Sequence, residues 1–369
     1  MEQKDLISQT ISFLRFPLII GVILIHADLS TITIAGNKCY INNIDYPIYT
    51  QISYFFSQII SRVAVPLFFF ISGFLFFYKT QIFNSNIYLQ KIKKRIHTIV
   101  IPYLIWNLLV ILYHLCTQLI VPELLSTKNK PICDFSISDW VFAFWNTYPI
   151  YHDSNLPINF PLWFIRDLII VIIFSPLLYL AIQKLSKTIV IALGLFWFSN
   201  IWFKIPGFSV DAFFFFTFGA YFSIKKKNFI NLMKPLSKLC TILYLIIIVI
   251  ELLNNQFSFI KDYIEYIHKL GILLGIISVI TISAHFISKG KWKTNSFLAK
   301  STFFLYAYHS IPLGIIIKLS LMYIKPYTEF SLLIIYFGST IIITIIGLMI
   351  YHLIKTYFPR FTAFITGGR

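Results

Sequence analysis

The chain has 369 residues, of which 58% are hydrophobic and 18% aromatic, and only 12% are charged, with a mean hydropathy of +0.78. So apolar a composition excludes a water-soluble globular domain and describes a polytopic membrane protein. Lysine and arginine outnumber aspartate and glutamate by 31 to 14; spread around membrane spans, that excess orients the chain, and no nucleic-acid partner is expected.

The first element follows a polar start, MEQKDLISQT, whose acidic residues flank its lysine, so the first apolar stretch is expected to stay as a membrane helix and not to be cleaved as a signal peptide. A span needs roughly 20 apolar residues. Ten stretches meet or approach that length, at 11–29, 52–78, 98–120, 161–183, 188–203, 208–224, 239–253, 266–288, 301–324 and 331–354. They predict an all-α bundle of about ten transmembrane helices in a single membrane domain over residues 1–369. The fifth and sixth are separated by the breaker KIPGFS. Elsewhere no pair of interrupted helices is expected in corresponding places of the two halves.

With the amino terminus inside, the inner connections hold twenty lysines and arginines, with clusters at Lys79–Arg95, Lys225–Lys238 and Lys289–Lys300, against six outside. Both termini are therefore expected in the cytosol and the protein in the cytoplasmic membrane. The longest polar connection, about 121–160, lies outside with Glu123, Asp134, Asp139, His152 and Asp153, and its position nominates it as a cover. Cys39, Cys116, Cys133 and Cys240 have no metal spacing, and His97, His114, His152, His268, His285 and His352 form no HExxH pattern. No metal is expected; a Cys39–Cys133 disulfide is left open.

Chemistry-bearing residues sit inside the apolar stretches. In RFPLIIGVILIH, residues 15–26, Arg15 and His26 stand eleven residues apart. At about 100° per residue they share one helix face, displaced by about 16 Å. Either alone fits snorkelling or an interfacial seat; together they point into the bundle, where a charged side chain needs a partner or a task. Arg62, Arg166, Asp167 and Asp211 fall in the outer half. Arg166 is suited to stabilising a developing oxyanion, and Asp167, Asp211 or Asp28 to orienting an imidazole. Ion pairs that only fix the bundle fit equally. Tyr306 and His309, one turn apart about two turns into the ninth stretch, either line a tunnel or satisfy one another. Trp106 and Trp163 read as interface anchors, and Gly73 and Gly219 as close-packing positions.

The Arg-x10-His pair is where the chain begins to resemble the acyltransferase 3 family of integral membrane acyltransferases. VPLFFFISGFLFF (65–77, with Ser72), KIKKRIHTIVIPYLIW (91–106), PLWFIRDLIIV (161–171), FFFFTFGAYF (213–222) and STFFLYAYHSIPL (301–313) continue the likeness along nearly the whole chain. The resemblance implies an O-acyltransferase, with O-acetylation as the expected modification. Acyl-CoA, expected as acetyl-CoA, would be the co-substrate, with no tightly bound cofactor. An extracytoplasmic glycan or lipid-linked sugar would be the acceptor, so surface polysaccharide is the expected target. The family's basic connection is usually arginine-rich, whereas this one has Lys91, Lys93, Lys94 and only Arg95. Lysine holds phosphate as a point charge and not as a fork, so Lys94 and Arg95 read as donor-binding residues or as an ordinary positive-inside loop. Arg15, Tyr306 and His309 join them along the path of a pantetheine arm. His26 is the general base or the covalent nucleophile; Ser72 and Arg62 are further polar groups of the bundle. A transporter or flippase for a polysaccharide precursor is the alternative.

Overall fold

The computed structural model describes residues 3–31, 33–34, 37–38, 41, 44–120, 130–152, 155–253, 262–325 and 327–368. Cys39, Glu123 and Asp153 lie outside them, and with Cys39 the disulfide question. Every one of the ten apolar stretches contains a helix. Among the described residues the only extended backbone is a two-residue antiparallel pair, β1 (Thr33–Ile34) with β2 (Asn37–Lys38). Long runs of Leu, Ile and Phe favour helix here because hydrocarbon leaves no other partner for the backbone.

The first span is α1 (Gln3–His26). The second runs from α2 (Pro47–Tyr54) through one π turn, 55–60, and one 3-10 turn, 61–63, into α3 (Ala64–Phe77). The third joins α4 (Ser85–Arg95) to α5 (Ile101–Ile120) through a second π turn at 96–100. Outside the bundle lie α6 (Ile137–Trp145) and α7 (Tyr148–Tyr151). Next come α8 (Trp163–Ile173), α9 (Ser175–Leu185), α10 (Lys187–Ser199), α11 (Val210–Ile224), α12 (Phe229–Met233) and α13 (Ser237–Leu252). The chain closes with α14 (Ile264–Ser288), α15 (Ser296–Tyr308), α16 (Ser310–Tyr323), α17 (Glu329–Tyr357) and α18 (Pro359–Thr366).

Six of these continuous helical stretches are long and apolar enough to cross a membrane, or eight if each of two bent pairs counts as one span. The bends correct the expectation of unbroken fourth and ninth helices. Residues 160–173 meet α9 at 62°, and α15 meets α16 at 67°. Both breaks precede a proline, Pro176 and Pro312, which lacks the N–H that the carbonyl four residues earlier would accept and crowds that carbonyl sterically. They also overturn the expectation that interrupted helices would not pair between the halves, since they fall in the fourth and the ninth of ten stretches.

The most extensively packed pair is α3 against α11. An added Cβ at Gly73 would stand 1.9 Å from the Phe216 carbonyl oxygen, and one at Gly219 would stand 1.9 Å from the Phe70 carbonyl oxygen. The two backbones therefore touch, which only glycine permits and which drives helix association where lipid removes the hydrophobic incentive. Phe69, Phe70, Phe76, Phe77, Phe215 and Phe216 are fully buried around this seam. Trp106 is no interface anchor: it is buried, and its Nε1 donates to the Ile365 carbonyl at 3.0 Å, tying α5 to α18.

Candidate active site

A cavity of about 190 Å³ opens between α1, α3, α8 and α15. Arg15, Ser72, Arg95, Thr302 and Tyr306 supply its polar groups, and Phe68, Phe164 and Phe303 are among its apolar walls. At ~30 Å³ per water it holds about six waters, room for a narrow chain but below the ~300 Å³ of a drug-sized site. Arg15 comes from the middle of α1 and Arg95 is the last residue of α4. Among the described residues neither guanidinium has a carboxylate within ion-pairing distance. Arg95 instead stands 5.8 Å from the centroid of the Phe76 ring, with the Lys91 ammonium 5.2 Å from the same centroid. Beside Arg95, an open basin of about 660 Å³ is lined by Lys79, Lys91 and Lys94 with Thr80, Gln81, Asn84 and Gln90. Two of the sequence-derived donor residues, Lys94 and Arg95, thus face adjoining spaces.

Tyr306 lines the cavity, and its hydroxyl donates to the Pro161 carbonyl. Tyrosine and histidine therefore do not satisfy each other. One turn on, His309 occupies the break between α15 and α16 and is fully buried. Its Nδ1 lies 2.8 Å from the Tyr306 carbonyl and 3.2 Å from that of Leu305, which assigns the proton to Nδ1 and leaves Nε2 as the acceptor. Nε2 is buried without a hydrogen-bond partner among the described residues. The ring stacks on His26, with centroids 5.3 Å apart and planes inclined by 30°. Phe160 meets His26 edge-on at 4.9 Å. The structure thus brings together Arg15, Ser72, Arg95 and Tyr306 at the cavity, and His26 and His309 as a stacked pair that does not line it.

The remaining candidates are engaged elsewhere. Arg166 is buried; its Nε donates to Asp167 at 2.9 Å and its Nη1 to the carbonyls of Trp145 at 2.7 Å and Asn155 at 2.9 Å. The Nε and Nη1 donors are committed there and tie α8 to residues 145 and 155, which leaves the two Nη2 donors for any other partner. Asp211 accepts from Trp197 Nε1 at 2.8 Å. Neither carboxylate orients an imidazole: backbone carbonyls do that for His309. Arg62, in the 3-10 turn of the second span, donates from Nε to Gln58 at 3.0 Å and interacts electrostatically with Asp28. Sequence reading missed Asn159 and Asn107, described below, and Thr302 in the cavity wall; Pro312 after His309 was the available signal for the break.

Fold and site together define a multi-pass membrane protein with a polar-lined cavity and a stacked pair of histidines set among its apolar helices. The chain belongs to the acyltransferase 3 family: the family model described as an acyltransferase domain matches residues 9–351. The succinoglycan biosynthesis protein ExoH of Rhizobium meliloti (strain 1021) is 24% identical over 193 residues, 51% of this chain and 46% of that protein. The chain thus matches about half the length of this curated relative. No solved structure matches.

Proposed function

We propose that the protein is a membrane O-acyltransferase that moves an acyl group, in the simplest case acetyl, from cytosolic acyl-CoA to a hydroxyl of an extracytoplasmic acceptor. Family membership supports the reaction class, and the name of the relative from succinoglycan biosynthesis supports a surface polysaccharide or a lipid-linked precursor as acceptor. The observation that carries the reading is a cavity lined by two guanidiniums without an ion-pair partner among the described residues, with Tyr306 in its wall one turn from the stacked pair of imidazoles. A nucleotide is too large for about 190 Å³ and stays in the basic basin, while the pantetheine arm threads past Arg15. The acceptor oxygen then attacks the thioester carbon; the new C–O bond forms, the C–S bond breaks, and CoA leaves as thiolate. His26 takes the hydroxyl proton as general base, a role worth about 10²–10⁴-fold.

This reading uses ten spans in the cytoplasmic membrane with both termini inside. Six long helices, two bent pairs and the two shorter apolar helices Lys187–Ser199 and Val210–Ile224 support that count. Cysteines placed at Lys93, Lys226 and Lys291 should then resist a membrane-impermeant thiol reagent in intact cells; labelling of any one reverses the orientation. The two bent spans favour a second reading, a transporter or flippase, because interrupted helices in corresponding positions mark the substrate site of many transporters. Incubating the purified chain with radiolabelled acetyl-CoA and base-treated surface glycan separates the two. An acyltransferase labels the glycan and releases CoA, and His26→Ala does neither; a transporter leaves acetyl-CoA intact.

A further inference from the structure

The residues just before the fourth span make a chain of contacts that the proposed chemistry does not use. Asn159 is buried, 1% exposed, and every polar group of its side chain is engaged. Its Nδ2 donates to the carbonyl of Ala307 at 3.2 Å and to that of Trp106 at 3.4 Å, while its Oδ1 accepts from the Ser310 hydroxyl at 3.2 Å. Its backbone N–H donates to Asn107 Oδ1 at 3.1 Å, and Asn107 is anchored in turn on the Tyr103 carbonyl at 2.8 Å. The next two residues continue the pattern, since Phe160 packs on His26 and the Pro161 carbonyl accepts the Tyr306 hydroxyl.

Ala307 and Ser310 stand on either side of His309. A helix broken at membrane depth holds its shape only if its freed backbone groups find partners inside the protein. Here Asn159 supplies one such partner, to the Ala307 carbonyl next to the break, and holds the Ser310 hydroxyl on its other side, while His309 at the break stacks on His26. We propose that Asn159 is a positioning residue for acyl transfer, one that brackets His309 through Ala307 and Ser310 and so holds the two-imidazole stack in register. The inference rests on the acyltransferase reading. It adds that the outer connection and the reactive pair form one mechanical unit, so that the segment first met by an arriving acceptor also sets the catalytic geometry.

The test uses the full chain in detergent with acetyl-CoA and base-treated surface glycan, reading kcat for transfer and KM for acetyl-CoA separately. A displacement of about 1 Å at a reacting group costs about 10²-fold in rate. Asn159→Ala is expected to lower kcat by about that factor while KM for acetyl-CoA stays within about twofold, because Asn159 does not line the donor cavity. Ser310→Ala removes one of the bracketing bonds and should lower kcat by about three- to tenfold, the range of one neutral hydrogen bond. Ser310→Thr restores the hydroxyl and should restore the rate. Should Asn159→Ala fail to fold, the Ser310 pair decides alone. Unchanged kcat in Asn159→Ala or in Ser310→Ala, or equal losses in Ser310→Ala and Ser310→Thr, overturns the positioning role. Absence of transfer by the wild-type chain overturns the acyltransferase reading instead.

Discussion

Arg15→Ala is the most direct probe of the donor path. Arg15 lines a largely apolar cavity with Arg95, and among the described residues neither has a carboxylate partner. An anion entering such a site meets a donor that is already desolvated and has no competing counter-ion, so the bond is worth the full value of a charge-assisted contact, about 1.5–3 kcal/mol. Removing it should raise the Kd for acetyl-CoA by about 10–150-fold. The donor-free protein should lose nothing, because the substitution removes a desolvated charge that has no carboxylate partner among the described residues. Thermal unfolding with and without donor reads both effects. At 100 times its Kd, acetyl-CoA stabilises the wild-type chain by about 2.7 kcal/mol, and the variant at the same concentration should gain about 0.3–1.4 kcal/mol. Arg15→Lys should fall between, keeping the charge and losing the fork. An equal donor-dependent shift in wild type and Arg15→Ala refutes the reasoning and assigns Arg15 to anchoring at the lipid headgroups.

Other substitutions address the remaining parts of the structure. His26→Ala should lower acyl transfer by at least about 10²-fold while donor affinity is retained, and residual activity above about a tenth would move the base to His309. Gly219→Ala places a methyl group 1.9 Å from the Phe70 carbonyl oxygen, so α3 and α11 must separate; a loss of about 1–3 kcal/mol or more in unfolding of the detergent-solubilised chain is expected, and an unchanged transition would contradict the seam. In the connection before the fourth span the Asp139 carboxylate is held by the Lys130 ammonium at 2.7 Å and by Ser136, and is pushed down to about 2. A depressed carboxylate stabilises the fold fully above its unfolded value near 4 and loses that contribution as pH falls towards 2. Protease sensitivity of residues 130–145 should accordingly stay flat from neutral pH to about 4 and rise below it. Lys130→Ala should bring the rise to higher pH.

The spans were legible because a run of some twenty apolar residues has one stable solution in hydrocarbon, and every run in the sequence carries a helix. The shared face of Arg15 and His26 was legible for a similar reason, since helical periodicity fixes which residues look the same way. Depth between helices was not. Counting from residue 301 put His309 about two turns into its helix, whereas α15 begins at Ser296, so His309 stands thirteen residues in and reaches the level of His26. Arg166, Asp167 and Asp211 show where sequence leaves two readings open. A buried charge announces that it has a partner or a task, and only the positions of Trp145, Asn155 and Trp197 reveal that these have partners. Asn159 gave no signal at all: an uncharged side chain in a polar connection has no periodicity to betray it.

The glycine contact between α3 and α11 bears on how the enzyme opens and closes. Two helices whose backbones touch without intervening side chains have no slack between them, so they travel as a single beam. The cavity has α3 on one side and α8 and α15 on the other, and both of the latter end at a proline-associated bend. In the proposed reaction a widening to admit an acyl chain or release CoA would fall to the bent side, with α8 and α15 flexing about residues 174 and 309 while the α3–α11 beam stands still. One of those two pivots is the histidine that stacks on His26, so the breathing that admits the donor and the alignment that consumes it are exercised at the same joint.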